Sequence, residues 1–89
     1  MKLDRKTERL IMELASLAKD LCPQAEVIIS PTFLDDFVAE MDVVVPDDTP
    51  DEVYDALSEK NFQLDMEHDC NIFLNIIERS RYEAARHAR

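Results

Sequence analysis

The 89-residue chain contains no glycine. That absence excludes the dinucleotide-binding fingerprint and the P-loop, because both need glycine where the backbone closely approaches a phosphate. A Gly-x-Ser-x-Gly nucleophile elbow is excluded for the same reason. Cysteine is almost as scarce. Cys22 and Cys70 are the only two, they form no Cys-x-x-Cys pair, and they are expected to be free, mostly buried thiols. No apolar run approaches the roughly 18 residues that a membrane span needs. The opening Met1-Lys2-Leu3-Asp4-Arg5-Lys6 is too charged for a secretory signal. A cytoplasmic protein with no membrane association is therefore expected.

Basic residues are missing from one particular stretch. Residues 21–78 carry fifteen acidic side chains against the single Lys60, a net charge of −14 within a chain whose total is −10. The last eleven residues reverse the sign, with four arginines and one glutamate. The acidic body repels a nucleic-acid backbone, so direct nucleic-acid binding is not expected. Its field attracts a basic protein surface, divalent cations, or the chain's own Arg-rich end. A basic protein partner is the expectation, with a second copy of the chain as a further candidate. The runs Asp35-Asp36 and Asp47-Asp48 are the candidate partner-binding acids.

With 46% hydrophobic and 34% charged residues, the chain has the balance of one folded domain with a thin core. Leu10, Ile11, Leu14, Leu17, Ala18 and Leu21 recur at three-four spacing and predict a helix from about Asp4 to Leu21, ended by Pro23. Ala25 to Ile29 and Met41 to Val45 are short β-branched runs that predict buried strands. The intervening Phe33 to Glu40 has near-helical spacing, and its conformation is left open. Thr49-Pro50-Asp51-Glu52 has the form of a capping box opening a second helix, expected from Pro50 to Lys60 with Asn61 as its left-handed terminator.

Phe62, Leu64 and Met66 alternate with polar residues and predict a strand over 62–67. A turn at His68-Asp69-Cys70-Asn71 would join it to a strand over Ile72–Ile77 as a hairpin. His68, Cys70 and Glu67 have ligand chemistry without the spacing of a tetrahedral metal site, and they read as a polar turn. The expected fold is α+β, in the order α-β-β-α-β-β. A small mixed sheet of about four strands would have helices packed on it, one strand after the second helix running parallel to the second strand. The domain is expected to span residues 1–78, with 79–89 a peripheral Arg-rich tail able to form a helix.

One constellation carries candidate chemistry. Val27-Ile28-Ile29-Ser30 ends the first strand, and Glu40 and Asp42 follow ten and twelve residues later at the start of the second. Two carboxylates two residues apart on a strand point the same way and can share a hard cation. The arrangement resembles the nucleotidyltransferase superfamily, especially its minimal members. There a strand ending in Gly-Ser precedes an Asp-x-Asp pair that holds magnesium for transfer of a nucleotidyl group.

The resemblance implies phosphate contact by Ser30 and magnesium binding by Glu40 and Asp42. The later strand that should bring a third carboxylate reads Asn71-Ile72-Phe73-Leu74-Asn75, which leaves Asp65 on the preceding strand as the only spare candidate. Ile29 replaces the family's glycine, Glu40 its first aspartate, and no basic residue lies between Ser30 and Asp42 to meet a triphosphate. These departures favour a non-catalytic binding or regulatory module on that scaffold, with no cofactor. A magnesium-dependent nucleotidyltransferase using Glu40 and Asp42 is the alternative.

Overall fold

The computed structural model describes residues 4–32 and 34–87. Helix α1 (Arg5–Leu21) is capped by Asp4, whose carboxylate accepts a 2.7 Å hydrogen bond from the Thr7 amide. That bond holds the Asp4 carboxyl below its ordinary pKa. Strands β1 (Glu26–Ser30) and β2 (Ala39–Val45) follow, then helix α2 (Asp51–His68), strand β3 (Ile72–Glu78) and helix α3 (Arg79–His87). The sheet has three strands in the order β1-β2-β3. β1 and β2 are antiparallel, and β3 runs parallel to β2 after the crossover through α2.

Helices α1 and α2 cover one face of this sheet. Leu10, Ile11, Leu14 and Ala18 of α1 meet Val53, Leu57 and Leu64 of α2 over Ala39, Met41, Val43, Val45 and Ile72. The inward residues of β2 are the odd-numbered ones, the period-two pattern of a strand with one covered face.

The expected fourth strand is helix instead. Residues 62–67 form the last third of α2, so the order is α-β-β-α-β-α and there is no hairpin. The alternation of Phe62, Leu64 and Met66 is incidental. Only Leu64 is buried, whereas Phe62 and Met66 are 65% and 68% exposed. Val53, Leu57 and Leu64, spaced by four and seven, are the stripe that meets the core. Asn61 does not end the helix. Its Nδ2 donates to the Ile72 carbonyl at 3.0 Å, tying mid-α2 to the start of β3. Termination falls eight residues later at Asp69, whose amide still bonds the Asp65 carbonyl and whose left-handed backbone (φ 55°, ψ 34°) turns the Cys70 amide back to the Leu64 carbonyl at 3.3 Å.

The start of α2 also differs from the expected capping box. The helix begins at Asp51, with Pro50 as the flanking residue and no side-chain cap. The Thr49 hydroxyl instead donates to the Pro46 carbonyl at 2.7 Å, closing the turn after β2.

The connection between β1 and β2 is irregular. The Thr32 hydroxyl accepts from the Leu34 amide, and the Phe37 amide donates to the Leu34 carbonyl. Phe33 lies outside the described residues. The Arg-rich segment is helical over 79–87 and continues directly from β3; residues 88 and 89 lie outside the described set. No helix among the described residues is long and apolar enough to cross a membrane.

Candidate functional site

The face of the sheet away from α1 and α2 is fixed by pairing parity. Ser30 sits opposite Glu40 and Ile28 opposite Asp42 across the antiparallel ladder, while Glu40 pairs with Phe73 and Asp42 with Asn75 across the parallel one. With Glu26, Val44 and Ile77 in the next row, nine side chains form three rows of three. Asp42 occupies the centre.

Ser30, Glu40 and Asp42 therefore share one face in adjacent rows, and the shared side of Glu40 and Asp42 follows from their two-residue spacing. Asp65 does not join them. It lies on α2, which packs against the other face, because the segment expected to be a strand is helical. Its neighbour is Cys70, whose thiol is pushed up first by burial and then by the charges of Asp65 and Asp4.

Asn75 was not singled out by sequence. It stands beside Asp42, and its Nδ2 donates to Asp42 Oδ1 at 3.0 Å. An ionised carboxylate only accepts, so this contact requires the amide to turn its NH₂ toward Asp42 and its oxygen away. The pairing occupies the Asp42 oxygen with a donor. Only residue-by-residue knowledge of the β2–β3 register could have found it.

Magnesium demands oxygen ligands in near-octahedral geometry. The face offers the Glu40 and Asp42 carboxylates and the Ser30 hydroxyl, with an amide N–H donor where a further acceptor is wanted. Among the described residues no group of three or more His, Cys, Asp or Glu side chains is arranged to hold a metal ion. In this orientation Asn75 presents a donor to Asp42, and no third carboxylate stands beside Glu40 and Asp42.

The rest of the face is apolar or closed by its own contacts. Phe37, from the β1–β2 connection, stacks on Phe73 with ring centroids 5.1 Å apart. This connection is held by Val38, whose amide donates to the Asn71 carbonyl at 2.9 Å, and by Asn71 Nδ2, which donates to the Asp36 carbonyl at 3.0 Å. At the opposite end Arg79 reaches from the end of β3 to Glu26 on β1, 3.7 Å away, across the row containing Val44. Val44 is fully buried although it belongs to no helix-facing cluster. None of the nine grid positions holds a basic residue.

The candidate partner-binding acids divide. Asp35, Asp36 and Asp48 are exposed. Asp47 is exposed too, but its Oδ1 accepts the Ser80 amide at 3.0 Å and so completes the first turn of α3. That bond holds the Asp47 carboxyl below its ordinary pKa. Asp47, Asp51 and Glu78 also converge on Tyr54, whose phenol is pushed up by burial and then by Glu78, Asp51 and Asp47.

No protein-family description, no curated protein sequence and no solved structure matched the chain in the comparisons made.

Proposed function

We propose that the chain is a small acidic, non-catalytic binding or regulatory module on a nucleotidyltransferase-like scaffold, and that its partner is a basic protein. The contact between Asn75 and Asp42 is the observation that carries this reading. In the resembled family a strand after the crossover supplies a third carboxylate. Here the position beside Asp42 is an amide that donates to the carboxylate a metal would need. Phosphoryl and nucleotidyl transfer also depend on positive groups that meet the charge developing on the transferred phosphate. None of the nine positions of the open face is basic, and Arg79 at its edge is paired with Glu26.

Electrostatics favour a basic partner. Between residues 21 and 78 only Lys60 is basic, and it is 3.3 Å from Glu13. The exposed Asp35, Asp36 and Asp48 add to that field and steer association more than they contribute to affinity.

The alternative, magnesium-dependent nucleotidyl transfer by Glu40 and Asp42 with Ser30 on the phosphate, is favoured by one specific observation: these three side chains share a sheet face in adjacent positions. Calorimetry with ATP and GTP in millimolar magnesium, together with a labelled-nucleotide transfer assay, separates the two. The module reading expects no nucleotide binding and no transfer. Saturable nucleotide binding abolished by Glu40→Gln or Asp42→Asn would establish the transferase instead.

A further inference from the structure

The apolar side chains that this fold leaves in solvent are unevenly distributed. On the open sheet face, Phe73 is stacked by Phe37 and Val44 is fully buried. On the helical layer, Met12 is 54% exposed, and Phe62 and Met66 are the most exposed large apolar side chains of the described structure. Phe62 and Met66 lie four residues apart and so sit together on one side of α2. Leu17 of α1 and Ala56 of α2 line the same groove as these two, and a second groove continues from Leu17 past Met12 along α1. A helix-borne phenylalanine and two methionines each more than half exposed are the kind of patch that calls for explanation. Methionine packs against varied surfaces at little cost in shape.

The rim of this patch is acidic. Glu59 and Glu67 flank the Phe62–Met66 pair, and Glu13 and Asp20 lie along α1. Lys60 lines both grooves but is paired with Glu13, and Lys19, outside them, donates to the Pro23 and Ala25 carbonyls. Arg9 lies at the far end of the α1 groove. Asp20, Glu59 and Glu67 make no ion pair among the described residues. Apolar floor and anionic rim together match an amphipathic helix with bulky apolar residues on one side and Lys or Arg along its flanks.

We infer that the groove between α1 and α2, floored by Met12, Leu17, Phe62 and Met66, docks a basic amphipathic helix of the partner protein. This rests on the binding-module reading and specifies its surface. The groove lies on the opposite side of the molecule from Asp42 and Glu40, so the two ideas can fail separately.

The test uses the full chain, isotopically labelled, and a synthetic helix with leucines on one side and lysines on the other. Its counterpart has glutamates in place of the lysines. Saturable one-to-one binding of the lysine peptide at about 0.15 M salt is expected, with amide shifts centred on Met12, Leu17, Phe62 and Met66. The double substitution Phe62→Asp with Met66→Asp should weaken it at least tenfold, and the glutamate peptide should not bind.

Glu59→Lys with Glu67→Lys provides an independent pair that leaves the apolar floor intact, and it should also weaken the lysine peptide. Shifts centred on Ile28 and Phe73, unchanged affinity in both double variants, or equal binding of the glutamate peptide would overturn the assignment. So would sedimentation showing that a second copy already covers the groove. Any of these with nucleotide binding still absent would leave the module reading standing and remove only this surface.

Discussion

The two faces of the sheet put the same strands to different uses. On the covered face Met41, Val43 and Val45 are completely buried under α1 and α2, and what matters there is volume and shape. On the open face, one residue along, Glu40 and Asp42 are half-buried, and Asp42 accepts a hydrogen bond from Asn75. From Ala39 to Val43, β2 therefore alternates between residues packed under the helices and residues facing away from them, and Val44 breaks the pattern by being buried on the open face. Stability should respond mainly to the first set and the local electrostatics to the second.

The sharpest way to break this contrast is within α2. Leu57→Ala and Leu64→Ala should each cost about 2–5 kcal/mol, because both side chains are buried and the surroundings relax only partly. Leu64→Asp should abolish the fold. Phe62→Ala should leave the melting temperature almost unchanged. A loss for Phe62 comparable to that for Leu64 would mean that residues 62–67 pack by strand parity after all.

On the open face, Asn75→Asp replaces an N–H donor by a second carboxylate beside Asp42. At neutral pH it should destabilise the domain by about 1–3 kcal/mol through the lost hydrogen bond and the like charges. Because such a pair resists double ionisation, the loss should shrink as the pH falls and one carboxyl takes up a proton. A pH-independent loss of stability would show that packing, not charge, is disturbed.

A smaller effect is expected where α3 meets the sheet. The Asp47 carboxyl is held below its ordinary value by the Ser80 amide, so its contribution is present above the carboxylate's unfolded pKa and lost as the pH falls through the lower folded value. The Ser80 amide resonance should follow that titration, and Asp47→Asn should remove it. Removing residues 80–89 should leave the two-helix layer folded and return Asp47 toward its ordinary pKa. A truncated chain that failed to fold would make α3 part of the core.

The least perturbing probe compares the cysteines. Cys70 is buried with its thiol pKa raised, whereas Cys22 is half-buried. Alkylation followed by mass spectrometry should modify Cys22 first. Faster reaction at Cys70 would contradict its burial under the C-terminus of α2.

How much of this was legible in the sequence depends on how long each pattern runs. Leu10, Ile11, Leu14 and Ala18 repeat over several turns and specify α1 to within a residue. The β-branched runs mark β1 and β2 to within two residues at each end. Six residues at 62–67 were too few to separate the periods, because Leu64 satisfies both and only tertiary packing decides that Phe62 and Met66 stay outside. Reading that segment as strand also put Asp65 on the sheet.

The candidate site was legible where parity alone decides, as for Glu40 and Asp42, two residues apart on β2. It was not legible where register decides. Which residue of β3 faces Asp42 is set by how the crossover through α2 packs, and no local pattern in Asn71 to Asn75 carries that information.

The central claim is that Asn75 occupies the place where a metal-binding version of this face would need an acid, and its most direct test is the paramagnetic broadening of backbone amides by manganese. The native chain should show only weak broadening spread over its acidic surface. Asn75→Asp should show saturable broadening concentrated at residues 40, 42 and 75. Saturable broadening at Glu40 and Asp42 in the native chain would contradict the account.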